Sequence, residues 1–270
     1  MKANDNSRSH EDPGDRHRSV SRRNLAIGIL LLGLAIGFGW SMGFFWLRRS
    51  EAVPTGKALA EPTASDATLV QNLLGKNLDH RTFSFATVAE ACSGKKVIPL
   101  AAKESHTRVQ AAIESALTRA IEKLNAPDSP VRSLRRINEA SRFFEDALHE
   151  SLNAEPDLSC DIPPNRRGEA QRSGYPDLRI VHEPSGEVFY LDPKLVEDDS
   201  WNSTLRTFYF EPKDETLKIT DDAVHLLAGI SHDGKDGAWT FTGFKLIDLS
   251  TLKVRLKAEF QASNKDLYPE

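Results

Sequence analysis

The chain is poor in cysteine. Cys92 and Cys160 are its only two in 270 residues, which excludes a disulfide-rich scaffold and a cysteine-based zinc site. It also lacks a basic surplus where one would bind polyanions. Residues 51–270 carry 27 Lys and Arg against 35 Asp and Glu, a net charge of −8, whereas residues 1–50 carry eight against four. Diffuse attraction to nucleic acid or to an anionic membrane is excluded, so any polyanion contact needs a local basic groove or a bound cation. No internal repeat is visible. Gly94-Lys95-Lys96 lacks the upstream glycine of a phosphate loop, and His182, His225 and His232 lack metal-ligand spacing. What remains is 39% hydrophobic and 27% charged, enough to bury a core and too apolar to be disordered over most of its length.

One long apolar run stands out. Residues 25–47 read LAIGILLLGLAIGFGWSMGFFWL, without a charge between Arg23 and Arg48, and at 1.5 Å per residue such a helix spans a hydrocarbon core of about 30 Å. The expectation is a single-pass membrane protein contacting the lipid bilayer through residues 25–47. A cleaved signal peptide is the competing reading, with Ser21-Arg22-Arg23 as a faint twin-arginine pattern and Ala58-Leu59-Ala60 as a cleavage site. The run's length and the intervening Arg48-Arg49 favour a retained anchor. Flanking basic residues do not decide orientation. Residues 1–24 read as a polar disordered tail, 48–66 as a linker and 67–270 as the folded domain.

Within that domain, short helix-like pieces at 67–74 and 85–92 precede two clearer helices. Val109, Ile113, Leu117, Ile121 and Leu124 form a helical stripe over 105–125, and Leu134, Ile137, Phe144, Leu148 and Leu152 form another over 131–153. After Pro164 the pattern changes to strand-like runs at 178–182, 187–191, 204–210, 223–231 and 239–249. The fold class is therefore α+β, helices followed by a mixed, largely antiparallel sheet.

The stretch with chemical content is 174–194, GYPDLRIVHEPSGEVFYLDPK. Two strands flank Glu183-Pro184-Ser185-Gly186, a turn sequence, and a hairpin symmetric about Pro184 and Ser185 sets Asp177 opposite Asp192. Leu178, Ile180, Phe189 and Leu191 then share one apolar face, while Asp177, Arg179, Tyr190 and Asp192 share the other. Lys194 follows on that polar face. Two carboxylates paired across strands repel unless a positive charge lies between them, and a divalent cation such as Mg2+ or Mn2+ suits hard oxygen ligands. An ordinary solvated hairpin with Lys194 or Arg179 pairing the acids explains the same residues, and two acids and a lysine alone do not exclude it.

Pro176-Asp177, fourteen intervening residues, then Asp192-Pro193-Lys194 resembles the signature of the PD-(D/E)xK nucleases, the superfamily of many restriction endonucleases. Ser203 to Phe210 and Glu259 to Tyr268 are similar to the tails of its restriction-type members, and the resemblance spans roughly residues 130–270. It implies a restriction endonuclease-like fold and a metal-dependent nuclease acting on DNA. Asp177 and Asp192 would bind Mg2+ or Mn2+, and Lys194 would complete the site. Such families often add a glutamate from a preceding helix, and Glu145, at the edge of the arc centred on Phe144, is the candidate. The second reading is a catalytically inactive membrane-tethered binding or assembly module with the same fold. Two departures are visible: Pro193 demands an edge or a bulge, and no amphipathic helix lies between Lys194 and Ala223. Arg206, Lys213, Lys218, Lys253, Arg255, Lys257 and Lys265 offer phosphate contacts, although charged strand faces explain them as well. Trp201 and Trp239 are either base-stacking or packed aromatics, and the two cysteines are either bonded or buried thiols.

Overall fold

A computed structural model describes residues 64–79, 81–204, 207–235 and 237–268. In chain order the elements are α1 (Ala64–Gly75), β1 (Thr82–Ser84), α2 (Phe85–Ser93), β2 (Val97–Ile98), α3 (Glu104–Asn125), α4 (Ser141–Asn153), β3 (Leu158–Asp161), β4 (Leu178–His182), β5 (Glu187–Glu197), β6 (Ala223–His232), β7 (Phe241–Asp248), β8 (Lys253–Arg255) and α5 (Asn264–Leu267). The chain divides into two compact units, one made of residues 1–67 with 262–270 and one of residues 68–261. In the first unit, α5 is opened by Ser263, whose hydroxyl accepts from the Asp266 amide while the Asp266 carboxylate accepts from the Ser263 amide, a capping box.

The second unit is an α+β domain built on a mixed sheet in the order β2-β6-β5-β4-β3, with β7 also on β6. The pairs β3/β4, β4/β5 and β6/β7 are antiparallel, whereas β5/β6 and β2/β6 are parallel. A parallel neighbour requires a crossover, here residues 198–222, which hold a single short 3-10 turn at Asp198–Ser200 and otherwise no regular element among the described residues. The strand expected over 204–210 does not form: residues 207–210 have no regular structure and residues 205 and 206 lie outside the described residues.

The helices cover one face of the sheet. Val109, Ile113, Leu117 and Leu124 of α3 and Phe144, Leu148 and Leu152 of α4 pack with Leu178, Ile180, Phe189 and Leu191 of the hairpin. Each such side chain contributes about 1.5–3 kcal/mol by leaving water. The second helix begins at Ser141 rather than at residue 131, after two short 3-10 turns at Pro130–Ser133 and Ile137–Ala140. Leu134 between them is extended and its carbonyl accepts from the Trp239 indole at 2.8 Å, so it is not available to a helix. Trp239 is buried, which removes it as a base-stacking residue, and Lys245 lies over the Trp201 ring at 4.0 Å.

The opposite face of the hairpin is not an open polar surface. Tyr190 is fully buried there among Phe85, Tyr175, Leu217 and Ile219, because α2 and the crossover fold over it. Both cysteines are free, and burial pushes the Cys160 thiol up to about 12. Among the described residues no helix is long and apolar enough to cross a membrane. The longest, α3, carries Glu104, Arg108, Glu114, Arg119, Glu122 and Lys123, a charge density that a hydrocarbon core does not admit. The single-pass membrane location expected from the sequence is corrected accordingly: the described structure contains no spanning element, and residues 25–47, on which the expectation rested, lie outside the described residues.

Candidate active site

The hairpin places the two acids. Its register pairs Leu178 with Leu191 and Arg179 with Tyr190, as the turn symmetry requires. Asp177 therefore enters β4 beside the point where Asp192 continues β5. Strand β4 stops at the Leu178 and Leu191 pair, so beyond it β5 has no registered partner on that side, which accommodates Pro193 and its missing amide. Lys194 turns back onto both acids, with its Nζ 3.3 Å from Asp177 Oδ2 and 2.5 Å from Asp192 Oδ2.

Asp192 is only 2% exposed. Burial, and then the charge of Asp177, push its carboxyl up to about 7. Its Oδ2 is buried and meets the ammonium at ion-pair distance without a hydrogen bond of acceptable geometry. Burial pulls the Lys194 ammonium down, but Asp192 and Asp177 outweigh it and hold the lysine above its ordinary range, so it is protonated at neutral pH.

The surroundings fix this trio from three sides. Gly174, at φ 90°, lies so close to the crossover that any Cβ would strike the Thr216 carbonyl oxygen, a position only glycine fills. Next to it, Tyr175 accepts the Lys218 amide on its carbonyl at 3.0 Å, and its hydroxyl lies 2.9 Å from His225 Nδ1. Behind Arg179, a fork of two bonds at 2.8 and 2.9 Å reaches Asp221. The Tyr190 hydroxyl donates to that same carboxylate at 2.8 Å and accepts the amides of Thr220 and Asp221.

Glu145 is on α4 at the edge of the same region. Its Oε2 accepts from Arg172 Nη1 at 3.0 Å, while Arg172 Nη2 donates to Asp146 at 2.6 Å. Burial first, then the charge of Asp177, raise its carboxyl above the usual range, against Arg172 and Lys194. The sequence-derived quartet is thus split: Asp177, Asp192 and Lys194 are in contact, whereas Glu145 is held by an arginine. Among the described residues no three or more His, Cys, Asp and Glu converge as a metal cage.

Sequence reasoning did not single out Arg172, Tyr175 or Asp221, and it left Lys218 either a phosphate contact or a residue of a charged strand face, exposed in both readings. Lys218 is fully buried, with its Nζ 3.4 and 3.3 Å from the carbonyls of Gln171 and Arg172. Burial lowers its ammonium, opposed by Asp177, Glu145 and Asp192. The alternation Leu217-Lys218-Ile219 resembles a half-exposed strand, which is why the pattern gave no warning. The remaining groove is also thin, since Lys213 pairs with Glu211 and Lys257 with Glu259, and Arg206 lies outside the described residues.

A mixed sheet with a Pro-Asp and Asp-Pro-Lys hairpin at its centre and helices on one face defines a restriction endonuclease-like protein. The particular family follows from comparison: residues 77–270 match the Type II restriction enzyme MjaV family, and this chain belongs to it. The Type II restriction enzyme MjaV of Methanocaldococcus jannaschii is 31% identical over 196 residues, which cover 68% of this chain and 84% of the relative. Neither the family nor that relative lends support to a lipid bilayer as a partner.

Proposed function

We propose that this protein is an endonuclease that hydrolyses DNA with the help of a divalent cation, and that Asp177, Asp192 and Lys194 form its working site. The observation that carries the reading is the convergence of those three side chains, with Lys194 Nζ 2.5 Å and 3.3 Å from the two carboxylates, in a chain of a restriction-enzyme family. The residues suit a cation: Asp192 Oδ2 is a buried oxygen whose partner is the positive Lys194 ammonium, a second carboxylate shares that ammonium, and paired hard oxygens are what Mg2+ and Mn2+ take. Asp177 and Asp192 would hold the cation, which when bound would polarise the phosphoryl group and acidify a water.

The chain's own contribution is positioning and charge. A protonated Lys194 is a donor rather than a base, so its role is to hold a water or a phosphoryl oxygen in line and to offset developing negative charge. Asp177 and Asp192 keep their geometry because the hairpin register and the tight Gly174 approach leave them little freedom. The inactive-module reading is not favoured, because all three signature side chains are present and meet. The test is cleavage of duplex DNA by the full chain in Mg2+, with Asp192→Ala beside the wild type. Loss of cleavage with a native melt supports the reading; undiminished cleavage by Asp192→Ala overturns it.

A further inference from the structure

Lys194 has neighbours on its own face of the sheet. In the parallel pairing of β5 with β6 it lies opposite Gly229, and in the antiparallel pairing of β6 with β7 Gly229 lies opposite Lys245. Residues facing each other across strands share a side of the sheet, so Lys194, Gly229 and Lys245 form one row over three strands. Ala228 and Ile230 of β6 and Phe244 and Leu246 of β7 meet the helices, which sets this row on the other side, with Asp192. Gly229 leaves a gap in the row and Trp201 occupies it, since a Cβ on Gly229 would come within 3.1 Å of the indole ring. The Lys245 ammonium lies over that ring, 4.0 Å from its centre.

Three features set Lys245 apart from an ordinary surface lysine. Lys213, Lys235 and Lys257 each pair with a nearby acid, whereas no carboxylate lies within ion-pair distance of Lys245 among the described residues. Its side chain is exposed, yet the attraction of a cation to a ring face holds in one place a chain that is otherwise free to rotate. Its distance from Lys194 is also set by the sheet: two strand spacings, about 10 Å between backbones. One strand of a DNA duplex advances about 3.4 Å per nucleotide along its axis, so this offset reaches a phosphate within about three nucleotides of the one over the trio. The indole face under the ammonium is taken, so Trp201 serves Lys245 rather than a base.

We infer that Lys245 grips a backbone phosphate of the DNA within about three nucleotides of the bond to be cut, and that Trp201 is its positioning residue, holding the ammonium in line with Lys194 across Gly229. The inference rests on the nuclease reading above and deepens it by giving the same substrate a second point of contact. A phosphate contact carries no base information; it fixes register, here which phosphodiester comes to rest over Asp177 and Asp192. In a body with a net charge of −8 over residues 51–270, an unpaired lysine beside the site is the local cation that a polyanion needs.

Two measurements on the full chain test it. The first is binding of a short duplex that wild type cleaves, over a series of salt concentrations. Lys245→Ala should bind more weakly, and its plot of log affinity against log salt should be flatter by about 0.9, the loss of one phosphate contact. Its disadvantage should therefore shrink by about 3.5-fold between about 50 and 200 mM salt. Lys123→Ala, which removes a lysine paired with Glu150 in the helix layer, should keep the wild-type slope. Trp201→Leu should also weaken binding, Trp201→Phe should restore most of it, and Trp201→Leu added to Lys245→Ala should cost nothing more; a merely structural tryptophan would add its own loss. The second measurement uses duplexes with a single uncharged methylphosphonate at successive positions around the mapped cleavage point. For wild type, one position within about three nucleotides of the cut should raise KM with little change in kcat, and Lys245→Ala should be indifferent to that position. A wild-type salt slope in Lys245→Ala, or a methylphosphonate profile identical to that of wild type, overturns the inference. If wild type neither binds nor cleaves DNA, the nuclease reading falls and this contact with it; if Asp192→Ala abolishes cleavage while Lys245→Ala keeps the wild-type slope, only the second contact is wrong.

Discussion

Lys194 reaches back along its own strand to Asp192, Nζ to Oδ2 at 2.5 Å, and by doing so makes a buried carboxylate tolerable. The two residues are separated by Pro193 alone, which places them on one side of an extended strand, and Asp177 completes the cluster at 3.3 Å from the same ammonium. Two acids thus share one internal cation.

That sharing predicts opposite effects on cleavage and on cation affinity. Lys194→Met nearly keeps the side-chain length and removes the charge, so Asp192, already raised to about 7 beside the lysine, takes up a proton and loses its ion pair. Metal-free stability at neutral pH should fall by about 3 kcal/mol, the low end for breaking a buried pair. Saturating Mn2+ should then raise the melting temperature by more than it does in wild type, while DNA cleavage is lost. Urea melts with and without Mn2+ check this; an Mn2+ shift equal to the wild-type shift would show that the lysine and the cation do not share the same two acids.

The hairpin was legible in the sequence because two independent local rules agree there. Glu183-Pro184-Ser185-Gly186 fixes where the chain turns, alternation fixes which side chains face the helices, and the resulting pairs of Leu178 with Leu191 and Arg179 with Tyr190 are those found. The first part of the second helix was not legible: its apolar spacing continues through Leu134 and Ile137, but a tertiary hydrogen bond from Trp239, 105 positions away, claims the Leu134 carbonyl. The polar face of the hairpin misled for a similar reason. Tyr190 is covered by a crossover that carries Lys218 and has no helical or strand periodicity, and its placement depends on contacts such as Lys218 to Tyr175 that no local pattern encodes. Glu145 was chosen among the helix acids from its position on the arc, whereas its partner Arg172, in an irregular segment 27 positions on, left no trace in spacing.

Gly174 is the backbone device that lets the crossover approach the Pro-Asp segment. With φ at 90° and the Thr216 carbonyl where a Cβ would go, Gly174→Ala has both conformational strain, about 1–2 kcal/mol, and a collision with backbone that must move. Gly168 is the control: its φ is 80°, yet nothing lies within 4 Å of a Cβ there, so Gly168→Ala carries the strain alone. Gly174→Ala should be clearly less stable than Gly168→Ala in urea and should weaken Ca2+ binding, because Asp177 is three residues away. Equal stabilities for the two variants would mean that the crossover yields freely at Thr216.

His225 makes the fold sensitive to mild acid. Its ring is fully buried, stacked on Tyr175 and edge-on to Phe85; Nδ1 meets the Tyr175 hydroxyl at 2.9 Å while Nε2 has no hydrogen-bond partner. Burial brings its pKa down to about 3, only partly opposed by Asp248. The folded value lies below the ordinary histidine value near 6.5, so in that interval the unfolded chain takes up a proton that the folded chain refuses. The contribution of His225 is therefore full above about pH 6.5 and declines as the pH falls toward 3, by up to about 1.4 kcal/mol per pH unit for one proton. Glu187, held down to about 2 chiefly by Lys103, adds a further loss only below about pH 4.5. Asp192, raised to about 7, instead gains stability as the pH falls below 7 and offsets histidine in the upper interval, so the histidine contribution is read from the difference between wild type and a variant. His225→Phe preserves the ring and removes the proton. It should be about 1–3 kcal/mol less stable at pH 7, because the buried Tyr175 hydroxyl loses its partner, yet its stability should rise relative to wild type as the pH falls from about 6.5 to 4.5. Urea denaturation at a series of pH values measures both, and parallel curves for the two proteins would assign the acid sensitivity to other groups.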